Sequence, residues 1–329
     1  VLAVKYREKG PHGMRGGPMY YLAKGANLPR LGWLFAVFTA LATFGIGNMT
    51  QANAVATIFK STFNVDTWIT GLVLMLMTGL VILGGIKSIG KATSILVPFM
   101  IVGYVVGGLV VLALSLDKIP HALALIFQGA FSPAAAGGGF AGSTIAAAMR
   151  FGIARGVFSN ESGMGSAPIA AAAARTHDPV KQSLVSMTQT FIDTLVVCSI
   201  TALVILTGTA WLDKVPAGQL TSVSFGAVLG QPGVILVAIA TALFAGSTLI
   251  GWNYYGEKAI EYLLGPKSIK PYRVVFVCVV LVGSMMKLEF VWNFSDLMNG
   301  MMIIPNTIGL LILSKVIKEE TARYFKWKP

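Results

Sequence analysis

Ser159, Asn160 and Glu161 stand together in the run GVFSNESGMGSAP (156–168), with Gly163 and Gly165 close behind and apolar sequence on both sides. A hydroxyl, an amide and a carboxylate at that spacing could hold a small polar solute, and the glycines let the backbone leave a helix. In hydrocarbon a chain can unwind only where protein or a water-filled cavity satisfies the freed N–H and C=O groups. The residues therefore predict an unwound stretch within FSNESGMGS, between one half-helix over about 144–157 and another over about 166–175. The first would turn C-terminal carbonyls toward the gap and favour a cation. The second would turn free N–H groups toward it and favour an anion. An amino-acid zwitterion carries both charges a few ångströms apart. The competing reading is a packing kink in which Glu161 pairs with Arg155 or with backbone N–H groups, since an ionised carboxylate at mid-membrane costs ~2.5–3.5 kcal/mol on insertion scales.

The elements that must position these residues follow from composition. Hydrophobic residues make up 55% of the 329 and charged residues 12%, against about 25% charged in a soluble domain. Apolar runs long enough for the hydrocarbon layer recur along the chain, without the period-two segments of an outer-membrane barrel. The expected fold is all-α, a polytopic helical membrane bundle forming one transmembrane domain. Its spans are expected at 31–59, 67–86, 92–116, a broken one at 144–175, then 182–209, 231–264, 272–287 and 291–314. Residues 1–30 are read as a cytoplasmic loop after a truncated helix ending at Val1–Val4, and 315–329 as a cytoplasmic tail. No n-region or cleavage site marks a signal peptide. With the first loop inside, 19 of the 25 Lys and Arg fall on the cytoplasmic side and four (Lys60, Lys118, Lys214, Lys287) outside, with Arg150 and Arg155 in the broken span. That asymmetry suits the positive-inside rule. It accounts for the net charge of +12 through basic loops facing anionic lipid, with no nucleic acid required.

Other chemistry is thinly supplied. His12, His121 and His177 are read as loop residues, Cys198 and Cys278 as small core hydrophobes, and no HExxH, phosphate-binding loop or Cys/His ligand spacing occurs. Neither an enzyme nor a bound cofactor is expected. Asn48, Gln51 and Asn53 interrupt the first apolar span. At helical spacing Asn48 and Gln51 share a face and Asn53 points elsewhere; interhelical hydrogen bonding is the plainer alternative to ligand contact. Gln51 is read as a ligand contact, Asn53 as packing, and Trp252 as a pocket wall rather than an interfacial anchor.

Four segments carry a family resemblance: RGGPMYYLAKG (15–25), FGIGNMTQANAVA (44–56), FGIARGVFSNESGMGSAPIAAAAA (151–174) and LIGWNYYGEKAIEYLLG (249–265). In order and content they resemble the alanine or glycine:cation symporters, over residues 1 to about 315. The resemblance implies a sodium-coupled symporter of alanine or glycine in the cell membrane, with membrane lipid, a small amino acid and a sodium ion as partners. It also implies a leucine-transporter-type bundle of two inverted five-helix repeats. About eight spans would be present here as helices three to ten, without the first two core helices and their Gly-Thr-Gly-Asn-type segment. On that pattern Phe158, Ser159, Asn160, Glu161 and Gly163 belong to the unwound motif, and with Gln51, Asn48 and Trp252 they form the expected substrate site. The adjacent hydroxyls Ser247 and Thr248 are the expected sodium ligands, a hard cation being suited to neutral oxygens, with back-bonding to their own helix as the alternative. Proton coupling in the same fold, a non-transporting amino-acid sensor and a channel are the rival functions.

Overall fold

The computed structural model describes residues 1–11, 13–131, 145–213 and 215–326, with side chains undescribed for 85–89, 91–93 and 130–148. His12, Lys214 and the first residue of the expected half-helix at 144 lie outside the described residues.

The described residues of the segment 1–30 are folded rather than looped. A short helix α1 (Leu2–Lys5) leads into a hairpin of β1 (Glu8–Gly10) and β2 (Gly13–Arg15), whose register pairs Glu8 with Arg15. Then α2 (Pro18–Tyr20) runs on as a π-helical turn, Tyr21–Gly25. Met19, Tyr20, Tyr21 and Leu22 are buried in the largest hydrophobic cluster. Their apolar side chains exclude a solvated loop.

The first span is continuous from α3 (Pro29–Phe44) through a π-helical segment (Gly45–Met49) into α4 (Thr50–Phe63). Pro29 opens it, its missing N–H being one that a first turn leaves unbonded anyway. Asn64, left-handed at φ 55°, closes it. Helices α5 (Thr67–Leu83) and α6 (Gly85–Ala113) follow. An unanticipated apolar helix α7 (Ile119–Phe131) places His121 on a helix instead of in a loop. The broken element comprises α8 (Ile145–Asn160) and α9 (Ala167–Ala171). Next come α10 (Pro179–Thr190), a second π-helical segment (Phe191–Cys198) and α11 (Ser199–Thr207), in line. Asp178 caps α10 by accepting hydrogen bonds from the N–H groups of Val180 and Lys181, satisfying donors that a first turn leaves open. The chain ends in α12 (Leu220–Leu229), the 34-residue α13 (Gln231–Leu264), α14 (Ile269–Met285), α15 (Leu288–Ile312) and α16 (Ser314–Lys326).

Five helical stretches among the described residues are long and apolar enough to cross a membrane, and α15 with α16, bent by 59°, makes a sixth candidate. The eight expected spans exceed this number for two reasons. α5 has only 17 residues, which at ~1.5 Å each falls short of the ~30 Å hydrocarbon layer. The other is the broken element, neither part of which is a full span. Large side chains such as Leu80, Phe99 and Leu311 are 70% or more exposed, the surface of a multi-pass membrane protein in contact with lipid.

Close helix contacts run through small residues. At Gly283 of α14 an added Cβ would lie 2.6 Å from the Cα of Met49, so α14 is drawn against the first π-helical segment.

Candidate functional site

A cavity of about 400 Å³ opens beside the break, within the ~300–1,000 Å³ usual for small-molecule sites. Tyr104 of α6 and Thr221 of α12 line it beside four further elements. The first span supplies Ile46 and Gln51, the break Phe158, Ser159 and Glu161, the second π-helical segment Asp193 and Cys198, and α13 Thr241, Thr248 and Trp252. Thr241, Ala245, Thr248 and Trp252 recur at the spacing that shares one helix face, so α13 presents two hydroxyls, a methyl and an indole to the cavity.

The break is shorter than its sequence suggested. Phe158, Ser159 and Asn160 are still helical, and the helix ends at Glu161, which adopts the left-handed conformation at φ 55°. Nothing before Gly163 forces unwinding, and the Glu161 N–H still reaches the Val157 carbonyl at 2.8 Å. The turn is then taken by Gly163 (φ 80°) and Gly165 (φ 90°). The Asn160 side-chain oxygen accepts from the Ser162 N–H, and an Asn306 amide on α15 donates to the Gly163 carbonyl at 2.8 Å. Tyr21 in turn donates its hydroxyl proton to Asn306. The Ser162 N–H and the Gly163 carbonyl of the turn are thereby satisfied by protein side chains.

Two predictions about this break need correction. Glu161 pairs neither with Arg155 nor with backbone N–H groups. Its carboxylate accepts from the Ser166 hydroxyl at 2.6 Å and from the Trp252 indole N–H at 2.7 Å. Arg155 instead pairs with Asp296 and lies over the rings of Trp292 and Phe158. The second half-helix has five residues, not the ten expected. The chain just after it is held by Arg7, whose guanidinium donates to the carbonyls of Ala172, Ala174 and Thr176 at 3.0, 2.6 and 2.6 Å. Those carbonyls, at and beyond a helix end, have no ladder partner of their own, and the guanidinium supplies one. One short turn carries little dipole, so the half-helix anion argument does not apply at this position.

Gln51 and Asn48 do not share a face. Asn48 lies within the π-helical segment, and its amide donates to the Phe276 carbonyl on α14 at 2.7 Å, away from the cavity. Asn53 reaches the same helix, donating to the Met286 carbonyl at 2.8 Å. A π turn carries an extra residue, which rotates everything before it relative to an α-helical wheel. Gln51 therefore faces the cavity without Asn48. Its amide nitrogen donates to the Ile46 carbonyl at 2.9 Å, and its Oε1 has no protein partner among the described residues. Gly47 in the same turn makes room for Trp252, since a Cβ there would lie 2.3 Å from that side chain's own Cβ.

Ser247 and Thr248 both donate to the Phe244 carbonyl, at 2.8 and 2.9 Å. Only Thr248 lines the cavity; Ser247 turns to the Met100 sulfur at 3.8 Å. Asn160 donates to the Thr194 hydroxyl, and Gly163 serves the turn. Phe158 lies against Trp292, their ring centroids 4.6 Å apart.

Three polar groups at the break were not anticipated. Asp193 accepts the Ser159 hydroxyl at 2.8 Å, and Cys198, read as a core residue, lies 3.4 Å from the same hydroxyl. The third is Asn306. An acid inside the apolar run TFIDTLVVC and an Asn directly after Pro305 were signals available in the sequence, because polar groups at membrane depth are costly and tend to face a partner or cavity.

Comparison with known proteins fits this architecture. The family model described as the sodium:alanine symporter family matches residues 1–329. The sodium/alanine symporter AgcS of Methanococcus maripaludis is 52% identical, over 98% of this chain and 72% of that protein. A Haemophilus influenzae uncharacterized transporter is 45% identical over 99% of this chain and 72% of its own length. The amino-acid carrier protein AlsT of Bacillus subtilis is 33% identical over 99% and 69%. This chain, a multi-pass membrane protein with a cavity at a helix break, belongs to the sodium:alanine symporter family, a family of transporters rather than enzymes.

Proposed function

We propose that the protein is a symporter of small neutral amino acids, alanine or glycine, coupled to a sodium ion in the cell membrane, on a leucine-transporter-type inverted repeat. The observation that carries this reading is the cavity itself, where a helix break, an amide oxygen without a partner among the described residues, two carboxylates and four aromatic rings meet. In it, Gln51 Oε1 accepts from the substrate ammonium, and Phe158 and Trp252 bound the space for its side chain. Asp193 supplies negative charge close to the positive end of the zwitterion or to the coupling cation. The Thr248 hydroxyl, its proton already given to Phe244, offers lone pairs to a hard cation. The 52% identity to a protein named as a sodium/alanine symporter favours alanine as the substrate.

Uptake of labelled alanine into proteoliposomes tests the reading. Saturable uptake driven by an inward sodium gradient is the expected result. Binding without flux would instead mark a sensor, and flux that does not saturate a channel. Asp193 favours one second reading, proton coupling, because a membrane carboxylate can carry the proton itself. Uptake that follows a pH gradient, ignores sodium and is lost in Asp193→Asn would establish it.

A further inference from the structure

We propose that the outward face of α16 is a docking surface for anionic lipid headgroups of the surrounding membrane. Six of the cations at the end of the molecule read as cytoplasmic are engaged within the protein, while Lys9, Arg30, Arg175, Lys181, Lys267 and Lys270 stand singly with no ion pair among the described residues. Lys5 pairs with Glu320, Arg15 with Glu261, Lys24 with Glu8, Lys258 with Glu261 and Arg273 with Glu257, while Arg7 is spent on the carbonyls after α9. In each of these pairs part of the positive charge is offset by a neighbouring carboxylate. On α16, unpaired cations are instead gathered on one face of a single helix. Lys315, Lys318 and Lys326 have no partner among the described residues, and Arg323 has only a 3.8 Å approach to Glu320, a carboxylate already held by Lys5.

Helical spacing sorts these residues. Ile317, Glu320, Thr321 and Tyr324 turn toward the protein and are half-buried, whereas Lys315, Lys318, Glu319, Ala322, Arg323, Phe325 and Lys326 are exposed. The exposed face thus carries four cations against one acid, with Phe325 59% exposed among them. The helix leaves α15 at 59°, immediately after Leu311 and Ile312, which are 70% and 52% exposed and lipid-facing. A face meant for water explains neither the bare phenyl ring nor the charge imbalance. At a bilayer surface both are accounted for: the ring enters the interface and the ammonium groups extend to phosphates.

The test uses the protein with Cys198→Ala, Cys278→Ala and Ala322→Cys, labelled with an environment-sensitive fluorophore. It is reconstituted into vesicles of phosphatidylcholine alone or rich in phosphatidylglycerol, and quenched by acrylamide, a neutral molecule that no surface charge repels. Quenching should fall severalfold in the anionic vesicles and return on raising the salt. Adding Lys315→Gln, Lys318→Gln and Lys326→Gln should abolish the difference, each basic residue being worth roughly fivefold in association with an anionic surface. Equal quenching of the parent in both vesicles would overturn the proposal. So would protection that survives the triple substitution, since packing on protein would then be its source.

Discussion

At residue scale the site rests on Glu161, the one described residue other than Asn and Gly held in the left-handed conformation, at a cost of ~1–2 kcal/mol. Two donors hold its carboxylate, and Trp252 contributes both a donor and a wall. Trp252→Phe keeps a ring but leaves one carboxylate oxygen without its donor, which should cost ~1–3 kcal/mol. Glu161→Gln should cost less, because an amide oxygen still accepts from Trp252 and the Ser166 hydroxyl can turn to accept from the new N–H₂. Thermal unfolding of the two variants in detergent should show that order; equal shifts would mean that the indole bond contributes nothing. The two adjacent hydroxyls make a second contrast. Thr248→Ala removes a cavity oxygen and should raise the sodium half-saturation for alanine uptake about five- to thirty-fold, the ~1–2 kcal/mol of one ligand. Ser247→Ala, beside Met100, should leave the titration unchanged. A shift in both variants, or in neither, would remove Thr248 from the cation site.

At the scale of elements, the chain after the short second half of the broken helix is held by Arg7, which takes the carbonyls of Ala172, Ala174 and Thr176. Arg7→Ala should free residues 167–176, and amide hydrogen exchange there should quicken by an order of magnitude or more, each charged hydrogen bond being worth ~1.5–3 kcal/mol. Unchanged exchange would show the guanidinium to be incidental. The Lys5–Glu320 link has a predictable pH response. The hydrogen bond from Lys5, with lesser Coulombic help from Lys5 and Arg323, holds the Glu320 carboxyl below its ordinary value. Its stabilisation is present above the unfolded pKa and is lost as pH falls through the lower folded one. Protection of the α16 amides, relative to their intrinsic exchange, should therefore hold from neutral pH down to the ordinary carboxylate value and fall progressively below it. These elements also mark how far sequence could be read. The apolar runs, the break and the cavity-facing Gln51 and Trp252 were legible, since burial period and costly polar groups leave direct traces. The π-helical segments left none, and with them went the facing of Asn48. Residues 1–30 look polar and charged, yet Met19 to Leu22 are core, a distinction that depends on partners distant in sequence. The Arg7 clamp joins residues 165 or more positions apart, beyond any local pattern.

For the whole molecule, the coupling reading has an energetic consequence. Alanine is neutral overall, so a symporter that carries it with one sodium ion moves one net positive charge inward per cycle. One charge falling through 100 mV releases about 2.3 kcal/mol, enough for roughly a fifty-fold concentration ratio of the neutral solute at equal sodium on both sides. Vesicles holding the protein, with sodium equal across the membrane and a potassium diffusion potential set inside-negative by valinomycin, should therefore accumulate alanine toward that ratio. They should lose it when the potential is reversed. A proton moving with alanine would also carry one charge, so the voltage response alone does not name the ion. Replacing sodium by choline at constant pH does: accumulation should vanish if Thr248 and the break hold sodium, and persist if Asp193 carries a proton. Asp193→Asn completes the comparison, because a protonation site tolerates no amide, whereas a sodium site with several neutral oxygens should keep a weakened response that higher sodium restores. Accumulation indifferent to the sign of the potential would exclude the net movement of one charge with each alanine.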